Sequence, residues 1–79
     1  MSRTRTIYNR TFDNGVNVRI EERFDGAFRV CFRSPEIESV ASNIYETFHS
    51  EDAACRRVRE VVPRFLAGET LKAVLNLAF

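Results

Sequence analysis

From Thr4 to Ser34 apolar and polar residues alternate, and the alternation is broken by Asp13-Asn14-Gly15 and by Asp25-Gly26. Period-two patterning punctuated by turn residues predicts three β-strands joined by two tight turns. Parity selects the turns. Val16, Val18 and Ile20 carry even numbers, as do Phe28, Val30 and Phe32. They share one sheet face only where directly paired residues have numbers with an even sum. Two-residue loops break that condition. Three-residue loops closed by glycine, a type I turn followed by a bulge, satisfy it in both hairpins: Phe12-[Asp13-Asn14-Gly15]-Val16 and Arg23-[Phe24-Asp25-Gly26]-Ala27. Gly15 and Gly26 are then expected at positive φ.

This register pairs Tyr8 with Ile20, Phe12 with Val16, Ile20 with Val30 and Val18 with Phe32, an apolar face that needs a cover. The odd residues form the other face: Arg5, Ile7, Asn9 and Thr11, then Asn17, Arg19, Glu21 and Arg23, then Arg29, Cys31 and Arg33. Glu21 is expected opposite Arg29, a cross-strand pair worth about 0.2 to 1 kcal/mol, and Arg5 opposite Arg23 with no carboxylate between them.

Ser34-Pro35-Glu36 reads as an N-cap, a proline at the first helical position and an acid in the first turn. Ile37, Val40, Ala41, Ile44, Tyr45 and Phe48 follow at helical spacing and predict a helix lying on the sheet. A competing reading makes Ser42 to Phe48 a fourth strand, because Ser, Asn, Ile, Tyr and Thr form helices poorly. Ser50 with Glu51 and Asp52 opens a further helix with an inner face of Ala54, Val58, Val61, Val62 and Phe65. Pro63 is expected to kink or restart it, and Gly68 to stop it. In the tail, Leu71, Val74, Leu75 and Ala78 keep helical spacing while Leu75, Leu77 and Phe79 keep strand spacing; the segment either completes the core or packs on another chain. The expected fold is α+β: one domain over 1–79, with a three-stranded antiparallel β-meander (4–34) packed on one face by two or three α-helices (35–79).

Composition narrows the function classes. At 79 residues the chain buries only about 60% of its unfolded surface, and a hydrophobic content of 44% with seven Phe supplies one core. A formal charge of +1 gives no global field toward nucleic acid or membrane, so local patches carry any recognition. No apolar run reaches the roughly 18 residues of a spanning helix and the polar start has no apolar region behind it, so a cytoplasmic location is expected and no membrane partner. Cys31 and Cys55 have neither zinc spacing nor the density of a disulfide scaffold, and reduced thiols are expected.

The residues offer little catalytic chemistry. His49 has no Cys, Asp or Glu at ligand spacing, and neither cysteine is placed to pair with it. Glu21 and Glu22 point to opposite faces of a strand; Glu36 and Glu38 diverge as well. The glycines are too far apart for a phosphate loop. No enzyme activity, metal or cofactor is expected. The candidate surface is the sheet face of Arg5, Arg19, Arg23, Arg29 and Arg33, suited to an acidic protein surface or to nucleic acid. Arg56, Arg57 and Arg59 form a secondary basic patch, with Asp52 expected to pair with Arg56.

A meander with a basic outer face bearing Arg19, Arg23, Arg29 and Arg33, followed by a helix, resembles over Arg5 to Leu66 the DNA-binding domains of phage integrase amino termini and plant ethylene-response factors. The resemblance implies a small DNA-binding regulator. A motif-poor, nearly charge-balanced chain of this length also resembles in type the small phage-encoded anti-CRISPR proteins, a group without a shared motif. That resemblance implies an inhibitor that binds a CRISPR effector complex and obstructs its engagement of target DNA; from its size and composition the chain is expected to be a monomer or homodimer. Near-zero charge separates the two in favour of the inhibitor, because duplex affinity rises with the number of phosphates neutralised.

Overall fold

Both hairpin turns have the geometry that parity requires. In a computed structural model, which describes residues 4–37 and 44–78, the Phe12 N–H donates to the Val16 carbonyl at 2.8 Å and the Gly15 N–H to the Phe12 carbonyl at 2.9 Å. Arg23, Ala27 and Gly26 repeat the pattern at 2.8 and 3.1 Å, and Gly15 and Gly26 both have φ of 87°. Asn14 and Asp25 finish the turns, each accepting on its side-chain oxygen from the N–H two residues on.

The strands β1 (Arg5–Thr11), β2 (Asn17–Glu22), β3 (Phe28–Arg33) and β4 (Ile44–Phe48) form one antiparallel sheet in the order β1-β2-β3-β4. Tyr8 faces Ile20, Ile20 faces Val30 and Val18 faces Phe32, as the pattern requires. The helices are α1 (Glu51–Leu66) and the short α2 (Leu71–Leu75).

Two expectations about the sheet are corrected. The helix expected from Ser34 is a single 3-10 turn over Pro35–Ile37, and Ile44–Phe48 is the fourth strand, paired from Phe32↔Ile44 to Phe28↔Phe48. The stretch between them, with Val40 and Ala41, lies outside the described residues. Ile44 and Phe48 are four apart, a spacing that serves both a helical stripe and alternate strand positions. β-prone Ile, Tyr, Thr and Phe decide for the strand, and pairing there saturates the main chain of β3, whose Val30 and Phe32 are wholly buried. The second correction is a bulge in β1 between Thr6 and Tyr8. Tyr8 pairs with Ile20, yet Thr6 pairs with Glu21 and Arg5 with Glu22. The extra residue inverts parity, so Arg5 leaves the odd face, meets Glu22 rather than Arg23, and forms an ion pair with it.

Helix α1 begins where expected: Ser50 is in extended geometry and its Oγ accepts from the Ala53 N–H at 3.1 Å, with Glu51 and Asp52 at the positive end of the dipole. Pro63 does not divide the helix, which runs on to Leu66. Pro63 is exposed and lies in the last turn, where the helix has few main-chain bonds left to lose. Gly68, at φ 91°, then ends the helix, with Gly68 N–H on the Phe65 carbonyl and Glu69 N–H on the Arg64 carbonyl.

The core joins the even face of the sheet to Ala54, Val58, Val61 and Phe65 of α1, with Ile37, Leu71 and Val74 closing one end. Each large side chain buried there contributes about 1.5 to 3 kcal/mol. Val62, expected inside, is only half-buried. The tail follows its helical spacing through Leu71, Val74 and Leu75 until Asn76 turns left-handed at φ 55°; Leu75 and Leu77 pack on the core, and Phe79 lies outside the described residues.

Replacing Gly15 or Gly26 with Val should destabilise the protein by more than about 1 kcal/mol, since both need positive φ. Gly15→Val should be the worse, because its new Cβ would stand 3.1 Å from the Pro35 ring whereas Gly26 faces open space. Urea unfolding checks both the size and the order.

Candidate functional site

The sheet register gathers one polar face. β1 contributes Asn9 and Thr11, β2 Asn17, Arg19 and Glu21, β3 Arg29, Cys31 and Arg33, and β4 Tyr45 and Thr47. Among the described residues no helix packs on this outer face, because α1 and α2 both serve the core on the other side.

Its charges are arranged differently from the expected cross-strand pair. Glu21 does sit opposite Arg29, but its Oε2 accepts from Arg19 Nη1 at 2.9 Å and its Oε1 lies 3.6 Å from Cys31 Sγ. Arg19 and Glu21 stand two apart on one strand and reach each other along it. Arg29 turns instead toward β4 and stacks over Tyr45, its Cζ 4.1 Å from the ring centroid. Arg29 makes no ion pair among the described residues, and its Nε is buried without a hydrogen-bond partner. Tyr45 keeps 43% of its surface exposed, so the stacked pair forms a cationic and aromatic platform open to solvent.

Beside the platform, at the end of the sheet nearer Gly15, lies a polar depression of about 380 Å³ walled by Asn9, Thr11, Asn17, Arg19, Arg33 and Ser34. Asn17 organises it: its Nδ2 donates to Asn9 Oδ1 at 2.8 Å, to Thr11 Oγ1 at 3.0 Å and to the Arg10 carbonyl at 3.3 Å. Cys31 is buried between these features, and burial, reinforced by the Glu21 carboxylate, pushes its thiol up to about 11. It is a neutral thiol at physiological pH and an unsuitable nucleophile.

Of the arginines expected to act together, the structure brings Arg19, Arg29 and Arg33 onto one face. Arg5 is carried off it by the bulge, and Arg23 lies past the last β2 pair, beside the turn. The helix patch is dispersed as well. Arg57 turns to the sheet and binds Glu46 with two bonds, Nε at 2.8 Å and Nη2 at 3.2 Å, and Glu60 at 3.2 Å; these carboxylates hold its guanidinium above its ordinary pKa. Arg56 and Arg59 stay exposed. The ion pairs of the described residues do not include Asp52 with Arg56. Tyr45 and Thr47 were not foreseen as part of the surface; the alternation of Ile44, Glu46 and Phe48 with Tyr45 and Thr47 was the signal for it.

No family model, curated protein or solved structure matches the chain. His49 is exposed, and among the described residues no group of three or more His, Cys, Asp or Glu could hold a metal ion. No helix among them is long and apolar enough to cross a membrane. What the outer face presents is a guanidinium stacked on an aromatic ring, next to a concave polar patch.

The two cysteines should separate in reactivity. At pH 8 the folded protein should release about one equivalent of thionitrobenzoate quickly, from half-buried Cys55, while Cys31 reacts only on unfolding. Rapid labelling of Cys31 in the native protein would show that the outer face does not enclose it.

Proposed function

We propose that the chain is a non-enzymatic interaction module whose outer sheet face docks on an acidic protein or nucleoprotein partner. One observation carries the reading: the Arg29–Tyr45 stack, unbridged by any carboxylate among the described residues, on a face that no described helix covers. Arg and Tyr are enriched among the side chains that carry binding energy at protein interfaces, since each combines a large planar contact area with directed hydrogen bonds. The adjacent depression supplies the polar rim such an anchor needs.

Magnitude separates this from duplex recognition. A protein held on DNA by backbone contacts neutralises about 6 to 10 phosphates. This face presents Arg19, Arg29 and Arg33 against Glu21, and Arg19 is already engaged. That is enough for a carboxylate-rich protein patch and too little for duplex binding at moderate salt. The resemblance in type to phage anti-CRISPR proteins supports a CRISPR effector complex as the partner, with target-DNA engagement as the step obstructed.

The experiment pairs the wild type with an R29E/Y45A variant, both shown folded by circular dichroism. The wild type should lower target-DNA binding by the purified effector complex and fail to shift a 20-base-pair duplex alone near 150 mM salt; the variant should lose the inhibition. An effector unaffected by the wild type removes the CRISPR partner. If the wild type shifts the duplex with a steep salt slope, the protein is instead a small DNA-binding regulator using this face.

A further inference from the structure

The sheet has a second unpartnered feature, the open edge of β1. Phe12 and Val16 exchange a main-chain bond that closes the first hairpin. Alternation along an antiparallel ladder then makes Arg10–Val18 and Tyr8–Ile20 bonded pairs and leaves Asn9 and Thr11 with N–H and C=O turned away from β2. Among the described residues no strand lies on that side.

The inner side of this edge is stepped. Helix α1 rests over β2, β3 and β4, so β1 emerges beside it. Along the step α1 presents Cys55, Arg59, Val62 and Leu66 at successive turns, and Leu66 is 61% exposed. Two depressions follow: one of about 250 Å³ bounded by Ile7, Tyr8, Cys55 and Arg59, and one of about 440 Å³ bounded by Arg10, Phe12, Phe65 and Leu66. Tyr8 and Phe12, which mark them, are four residues apart, about 13 Å along a strand. Arg10 lies between, its guanidinium 4.9 Å from the Phe12 ring centroid, and like Arg59 it has no ion pair among the described residues, while Glu51 stands in the wall of the first depression and Asp13 in that of the second.

We infer that this edge takes an extended acidic peptide segment of a partner protein as a fifth strand, with apolar residues at i and i+4 entering the two depressions and a carboxylate at i+2 meeting Arg10. Strand addition explains the unpaired main chain and the step together. Charge selects an acidic ligand over a second copy of this chain. A symmetric β1–β1 pair that uses the whole regular stretch Tyr8 to Phe12 sets Arg10 directly opposite Arg10. The inference is independent of the outer face.

A phage-displayed library of random 12-residue peptides, panned against the protein, tests it. Enriched sequences should alternate apolar and acidic residues. Asn9→Pro should weaken the best synthetic peptide at least about tenfold, because proline removes an edge donor where an edge strand tolerates it. Asn9→Ala, which loses the same side chain and keeps the N–H, should stay within about threefold, as should R29E/Y45A; Arg10→Glu should weaken binding about as much as the proline. Amide exchange at Asn9 and Thr11 should slow when the peptide is bound. No enrichment over the Asn9→Pro protein, enrichment of basic peptides, equal loss in Asn9→Ala, or a concentration-dependent dimer abolished by Asn9→Pro would each overturn the inference.

Discussion

The positive φ of Gly15 and Gly26 is the constraint on which the molecule depends. A three-residue loop ending in a left-handed glycine keeps the sum of paired numbers even, and that one rule sends the even residues of β2 and β3 to the sheet face that carries the core and the odd ones to the outer face. The two faces then have different chemistry without further instruction. Val18, Ile20, Val30 and Phe32 become the floor on which α1 packs, while Arg19, Glu21, Arg29, Cys31 and Arg33 become the outer surface. The bulge in β1 shows how strict the rule is. One added residue at Ile7 moves Arg5 across the sheet and turns an expected Arg–Arg confrontation into an ion pair with Glu22.

The helix is tied to this sheet by packing first and polar contacts second. Phe12 and Phe65 meet with ring centroids 5.4 Å apart, joining the first hairpin to the last turn of α1. At the other flank, Glu46 points inward from β4 and is met by Arg57, which prevents an inward carboxylate from standing alone. Both side chains keep about a third of their surface exposed, so the pair orients the helix on the sheet more than it stabilises the fold. Between β4 and α1 stand only His49 and Ser50, and the Ser50 cap makes the change of direction local.

Much of this was legible in the chain. Glycine position and residue parity specify both turns and the register from Tyr8 to Phe32, and Ser50 with Gly68 marks the ends of α1. The rest was hidden for physical reasons. A bulge leaves no trace in a period-two pattern when the residues on either side, Thr6 and Tyr8, suit both faces. Ile44 to Phe48 satisfies helical and strand spacing alike, and only its pairing with β3 decides between them. Of the site, the cluster of Arg19, Arg29 and Arg33 was readable from parity, whereas the Arg29–Tyr45 stack depends on the fourth strand and could not be seen without it. The helix arginines misled for a related reason: Arg57 belongs to Glu46, a residue of that same strand.

The outcome is a small protein with a sheet covered on one side, whose other side collects side chains suited to recognition, arginine stacked on tyrosine beside a polar hollow. Docking through that side requires it to be open in solution. Solvent paramagnetic relaxation with a soluble gadolinium chelate measures this directly, residue by residue. The side-chain protons of Tyr45, Thr47, Asn9 and Thr11 should relax strongly, while the methyls of Val18, Val30 and Val61 stay shielded. Shielding of Tyr45 and Thr47 equal to that of Val30 would mean that the outer face is covered and would contradict the account.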